Sequence, residues 1–434
     1  MKKLMSFVIA TAMLLTSNVV GMAEKITADD NVKLMAEAAG FITEDWSKIE
    51  YISVEEYIEK YGGEEKINKA FNEAEIKNEA MLLKAGGKEQ QAVQLLNEKN
   101  NLVNKKSDLL LSIKEGKFLG LEIESISDLP PDNLNLSLRL KQKNDLRPMI
   151  GVSENAVSAG LNENMSATTA QGEEDGTHRD GTAYKILYTN TPGDADSVYE
   201  PESGSYFYKY GYSWKNDYRC TSDITFNNTQ LYNGSQVMNM YAFIGAVTDD
   251  SAVGGTHSID FGFMANPSAQ ERNKGLYAVR NIKGQPAKFD VEIYPKVLLD
   301  SASSTNHLIV ENRKIKLQLT IDTLGNVETV MYENGSMIYY KTESITGFVS
   351  GAGHSLTFFE AMSCVDANSV ETKPNSGSYF KNVRFSDTKL YSYDSGERAF
   401  GTYGDDTYYV YLCKPEKIDY SFGDNYEEVS IIYN

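Results

Sequence analysis

Between residues 53 and 113 the apolar side chains return at steps of three and four. Ile67, Ala70, Phe71, Ala74, Met81 and Leu82 come first; Leu95, Leu96, Leu102, Val103, Leu109, Leu110 and Ile113 follow on a Lys, Glu, Asn and Gln background. This is the spacing of one helix face, and it predicts a helical hairpin or small bundle. Ser53-Val54-Glu55-Glu56 has the form of a capping box, in which a hydroxyl and a carboxylate take up the free amides of a first turn. Gly62-Gly63 and Gly86-Gly87 divide the runs, and Lys99 and Lys106 interrupt the seam that a long coiled coil requires.

The pattern fails from Pro130-Pro131 onward. Residues 151–181 contain almost no large apolar side chains and are rich in Ser, Asn, Gly, Glu and Ala, a composition that cannot bury enough surface to order itself. From Ala183 the period becomes two. In Lys314–Lys341, Ile315, Leu317, Leu319 and Ile321 alternate with Lys314, Lys316, Gln318 and Thr320, a half-buried strand. A turn at Leu324-Gly325-Asn326 and a tight hairpin at Asn334-Gly335 make the segment an antiparallel meander. Similar strands are predicted at 183–188, 237–247, 258–264, 288–294, 355–364, 379–385 and 407–413, with no helical period between them. About ten strands over this length fit two packed sheets.

The residues "YAFIGAVTDD" (241–250), "SIDFGFMAN" (258–266), "FDVEIYP" (289–295), "YENGSMIYY" (332–340) and "GSYFKNVRFSDTKLY" (377–391) resemble the concanavalin A-like lectin/glucanase jelly rolls. The resemblance covers the C-terminal 250 or so residues and implies a curved sheet whose concave face meets an extended glycan. The expected organisation is therefore a mainly β, two-sheet jelly-roll sandwich preceded by an α-helical module. Its boundaries are a signal peptide at 1–23, helices at 24–125, a linker at 126–182 and the jelly roll at 183–434.

The export signal rests on Lys2 and Lys3, the apolar run Leu4–Leu15 and the small residues around Ala23. That run is too short to span a bilayer, which needs ~20 residues, so a secreted bacterial protein without a transmembrane segment is expected. A net charge of −19 argues against nucleic acid and against an anionic membrane surface, and leaves neutral sugars, cations or cationic polymers as partners; the resemblance implies carbohydrate among these. Three cysteines, Cys220, Cys364 and Cys413, are open to one bridge or to none.

Candidate chemistry is sparse. In "SYFYKYGYSWKNDY" (205–218), Tyr206, Tyr208, Tyr210, Tyr212 and Trp214 fall on one side of an extended chain. If exposed, they are a platform for stacking sugars; if covered, they are core. Glu360 shares a strand side with Leu356, Phe358, Met362 and Cys364; an acid there is either paired or holds a raised pKa suited to acid catalysis. Asp290 and Glu292 stand two apart on a strand, a separation compatible with glycosidase carboxylates or with an ordinary solvated face. Asp249 and Asp250 are candidate calcium ligands; no other cofactor is indicated. Jelly rolls of this kind include lectins, glycoside hydrolases and polysaccharide lyases. The glucanase E-x-D-x-x-E run and the Q-x-H strand of alginate-lyase-like enzymes are both missing. The expected function is thus a lectin-like carbohydrate-binding protein, with a polysaccharide-degrading enzyme or a surface structural protein as the alternatives.

Overall fold

The computed structural model describes residues 28–102, 105–133, 135–141, 172–177, 183–189, 204–210, 217–248, 257–267, 275–283, 289–298, 300–304, 307–350, 356–366, 375–393, 396–400, 408–413, 417–422 and 425–433. The chain is mostly β, and its described α-helices all precede residue 116: Ala28–Ala38, Val54–Lys60, Glu64–Ala85, Glu89–Leu102 and Asp108–Glu115. Ser53 caps the second of these, accepting from the Glu56 amide at 3.2 Å, and Ser107 caps the last. Gly116 closes that helix in the left-handed region that glycine enters without steric cost. None of these helices is long and apolar enough to cross a membrane.

Among the described residues, thirteen strands form one sheet and eleven another. The centre of the larger sheet runs Phe289–Leu298, Leu276–Lys283, His257–Ala265, Met238–Thr248, Leu356–Asp366, Gly204–Tyr210, each antiparallel to the next. In the smaller sheet, Tyr379–Ser392, Asp217–Thr225, Lys314–Ile321, Asn326–Glu333 and Ser336–Ser344 lie side by side. The expected meander is the last part of this series. Asn334 and Gly335 supply its hairpin with φ of 49° and 77°, values that Asn and Gly adopt more readily than most residues.

Strand alternation assigns each side chain to a face. Phe207, Met240, Ala242, Ile244, Phe261, Phe263, Phe358 and Met362 of the larger sheet share one apolar cluster with Cys220, Ile224, Leu317, Leu319, Val383 and Phe385 of the smaller. The two sheets therefore face each other across a common core. The other side of the larger sheet carries Tyr206, Tyr208, Tyr241, Phe243 and Tyr277, and these cluster with Tyr57, Ile67, Phe71, Leu109, Ile113 and Phe118 of the N-terminal part. Helices thus make a third layer over that face.

The expected boundaries need correction here. Leu121–Ser127 and Leu138–Lys141 are paired strands, and the second joins Phe289–Leu298 with Leu138 opposite Ile293. The stretch expected as a linker from residue 126 thus begins inside the larger sheet. It is anchored to the helices as well: the Tyr57 hydroxyl donates to the Leu129 carbonyl at 2.9 Å, and Asp128 accepts from Lys60 at 2.5 Å and Tyr61 at 3.0 Å. Gly172–Thr177 is also strand, paired with Ala183–Thr189. These segments are too short for alternation to show above the polar residues around them.

Candidate functional site

Five tyrosine and tryptophan positions were the first candidates for a sugar platform. Tyr206 and Tyr208 do not serve as one: they are 7% and 0% exposed, and the helical layer covers them. The alternation that puts them on one face is correct, but the face is an interior one. Tyr210 ends the strand Gly204–Tyr210 with a side chain outside the described residues, and Tyr212 and Trp214 lie outside them altogether. So do Asp249 and Asp250. Asp290 and Glu292 lie in Phe289–Leu298 opposite Ile282 and Arg280, and their side chains are likewise outside the described residues. Among the described residues, no three His, Cys, Asp or Glu side chains gather as a metal site.

Glu360 is fully buried, as its apolar neighbours in the sequence suggest, but it points into the core between the sheets rather than into a groove. Its Oε1 accepts from Ser222 Oγ at 2.8 Å and from Thr388 Oγ1, both on the facing sheet. Its Oε2 hydrogen-bonds to no described residue. Burial first, and the Glu427 carboxylate second, push its pKa up to about 7, against the pull of Lys209 and the two hydroxyls. Sealed from solvent by both layers, Glu360 has no route to a substrate, so the catalytic role considered for it is set aside. Lys209 pairs with Glu427 beside it and Arg398 with Asp217, both buried ion pairs. Cys220 and Cys364 are buried in the same core, and no disulfide joins them.

A different polar group lies on the other side of the larger sheet, beyond the tyrosines that the helices cover. One row across the strands reads Asn281, Asp260, Gly245, Phe359, each directly opposite the next. Asn281 is 2% exposed, and neither its Oδ1 nor its Nδ2 hydrogen-bonds to any described residue. A buried carboxamide with idle donors and acceptors costs ~1–3 kcal/mol and calls for an explanation. Asp260 beside it is 6% exposed. Gly245 has no side chain because the Phe359 ring occupies that space. Phe359 in turn packs edge-on against Phe243 at 6.1 Å and Tyr208 at 5.7 Å, so the polar pair ends an aromatic floor.

Sequence reasoning passed over Asp260 and Asn281. The available signal was alternation: in "SIDFGFMAN" the side holding Ser258, Asp260 and Gly262 is the less apolar one, as is Asn281 after Tyr277 and Val279.

No known family and no curated protein matches the chain. Among solved structures it is similar to a scytalido-glutamic peptidase bound to a transition-state analogue (13% identity, 53% of this chain, 98% of that chain, TM-score 0.29). It is also similar to a glycoside hydrolase family 16 endo-glucanase from Bacteroides ovatus (12% identity, 48% and 87%, TM-score 0.22). A third is an alginate lyase in complex with alginate trisaccharide (9% identity, 36% and 73%, TM-score 0.21). Similarity of this degree transfers neither activity nor site residues to this chain.

Proposed function

We propose that this is an exported bacterial carbohydrate-binding protein, built on a jelly roll of the concanavalin A-like kind, that holds its saccharide on the helix-bearing side of the larger sheet at Asp260 and Asn281. The observation that carries this reading is the buried Asn281 carboxamide, with neither polar atom hydrogen-bonded to a described residue, directly opposite a carboxylate. A saccharide diol needs acceptors for its hydroxyl protons and donors for its oxygens. A carboxylate supplies only acceptors and a carboxamide supplies both, so the pair is complementary to two neighbouring hydroxyls. Export is supported by the charged, apolar and small-residue order of the first 23 residues.

Retention of the purified chain on a panel of immobilised polysaccharides tests this reading. Retention that is lost in Asn281→Ala and Asp260→Asn supports it, and retention indifferent to both variants places the saccharide elsewhere. Expression of the full chain in a bacterial host, with mass spectrometry of the released protein, tests export; the expected new N-terminus is Glu24.

A further inference from the structure

Lys209 and Glu360 stand directly opposite each other on adjacent strands of the larger sheet, both pointing into the core. Such cross-strand neighbours are the pairs that ordinarily interact. Among the described residues, however, the Lys209 ammonium forms its ion pair with Glu427, which belongs to the smaller sheet. Lys209 thus has two carboxylates within reach, one in its own sheet and one across the core.

The charged groups around this point are few. Glu360 faces Lys209 in its own sheet and Glu427 in the other, with Ser222, Thr388 and Cys220 between them. The buried Asp217–Arg398 pair completes the set that acts on the Cys220 thiol. Among the described residues two cations therefore meet three carboxylates, and full ionisation of these five leaves one negative charge in excess in a buried place. An unneutralised buried charge is strongly unfavourable. A proton on Glu360 removes the excess. Oε1 is held by two hydroxyls and Oε2 has no described partner, so a neutral carboxyl is the form that this environment accepts.

We propose that one proton on Glu360 decides which sheet holds Lys209. With Glu360 protonated, Lys209 ties the two sheets together through Glu427. When the proton leaves to solvent base, the Glu360 carboxylate draws the ammonium into its own sheet, Glu427 is left unpaired, and the tie across the core is released. The device makes cohesion of the sheets respond to external pH, and it is independent of any saccharide.

Denaturant unfolding of the full chain at about pH 5 and about pH 9 reads this device through proton linkage. The wild-type midpoint is expected to fall at the higher pH. Glu360→Gln, always neutral, is expected to keep the low-pH midpoint at both. Glu427→Gln is expected to flatten the pH dependence by a different route, since the Glu427 charge that raises the Glu360 pKa is gone and Lys209 can turn to Glu360. A Glu360→Gln protein that keeps the wild-type pH dependence overturns the proposal. Where Glu360→Gln does not fold, Glu427→Gln decides: an unchanged pH dependence in that variant overturns it equally.

Discussion

The Phe359 ring lies over Gly245 so closely that a Cβ on the glycine would stand 2.1 Å from Cζ of the ring. A glycine in a strand interior weakens the strand, and here the neighbouring ring takes the space that a side chain would fill. The same Cβ would also meet the Ile259 carbonyl oxygen at 2.5 Å, an atom that cannot swing away. Gly245→Ala is expected to cost about 1–3 kcal/mol by overpacking. A double-mutant cycle with Phe359→Ala checks the cause: part of the loss returns when the ring is removed, and strictly additive losses would assign it to the backbone contact alone.

Tyr206 and Tyr208 are expected to act on stability and not on ligand. Tyr208→Ala removes a fully buried ring that packs against Phe243 and Phe359, a change that costs about 3–5 kcal/mol. Tyr208→Phe keeps the ring and is expected to bind saccharide as the wild type does. Loss of retention in Tyr208→Phe, with an unchanged unfolding midpoint, would show that the covered face is a platform after all.

Arg313 ties the helical part to the smaller sheet. Its guanidinium pairs with Glu333 and donates to the Leu82 carbonyl at 3.3 Å, all three groups being buried. Removing one partner of a buried pair leaves the other charge uncompensated and costs about 3–5 kcal/mol. Glu333→Gln is therefore expected to lower the unfolding free energy by that order. Amide exchange should rise at the end of helix Glu64–Ala85, where the carbonyl is held.

Cys220 is expected to resist alkylation in the folded protein. Burial first, and then the Glu360 and Asp217 carboxylates, push its thiol well above the ordinary range, so little of the reactive thiolate forms. Peptide-resolved labelling with iodoacetamide should leave Cys220 and Cys364 unmodified until denaturant is added; labelling of both at the native rate of a free thiol would contradict their placement in the core.

Local features were legible in the sequence and relations across the core were not. The Ser53 cap, the Asn334-Gly335 turn and the alternation from Ile315 to Ile321 depend on residues a few positions apart, and the structure contains all three. That Glu360 meets an apolar environment was readable from its own strand. Its partners were not: the contacts are Ser222 and Thr388, 138 and 28 residues away. Tyr206 and Tyr208 mark the limit of alternation, which assigns a face but does not say what covers it; here the cover comes from residues such as Tyr57 and Phe71. Asp260 and Asn281 acquire meaning only through register, which sets them side by side.

The most direct test of the central claim is the affinity of the full chain for a polysaccharide that retains it, measured by titration calorimetry for the wild type and Asn281→Ala. Loss of hydrogen bonds to one carboxamide is expected to weaken binding about 10-fold or more, corresponding to ~1–3 kcal/mol, with the unfolding midpoint unchanged or raised, since an unsatisfied buried group is removed. Equal affinity of the two proteins would contradict the account.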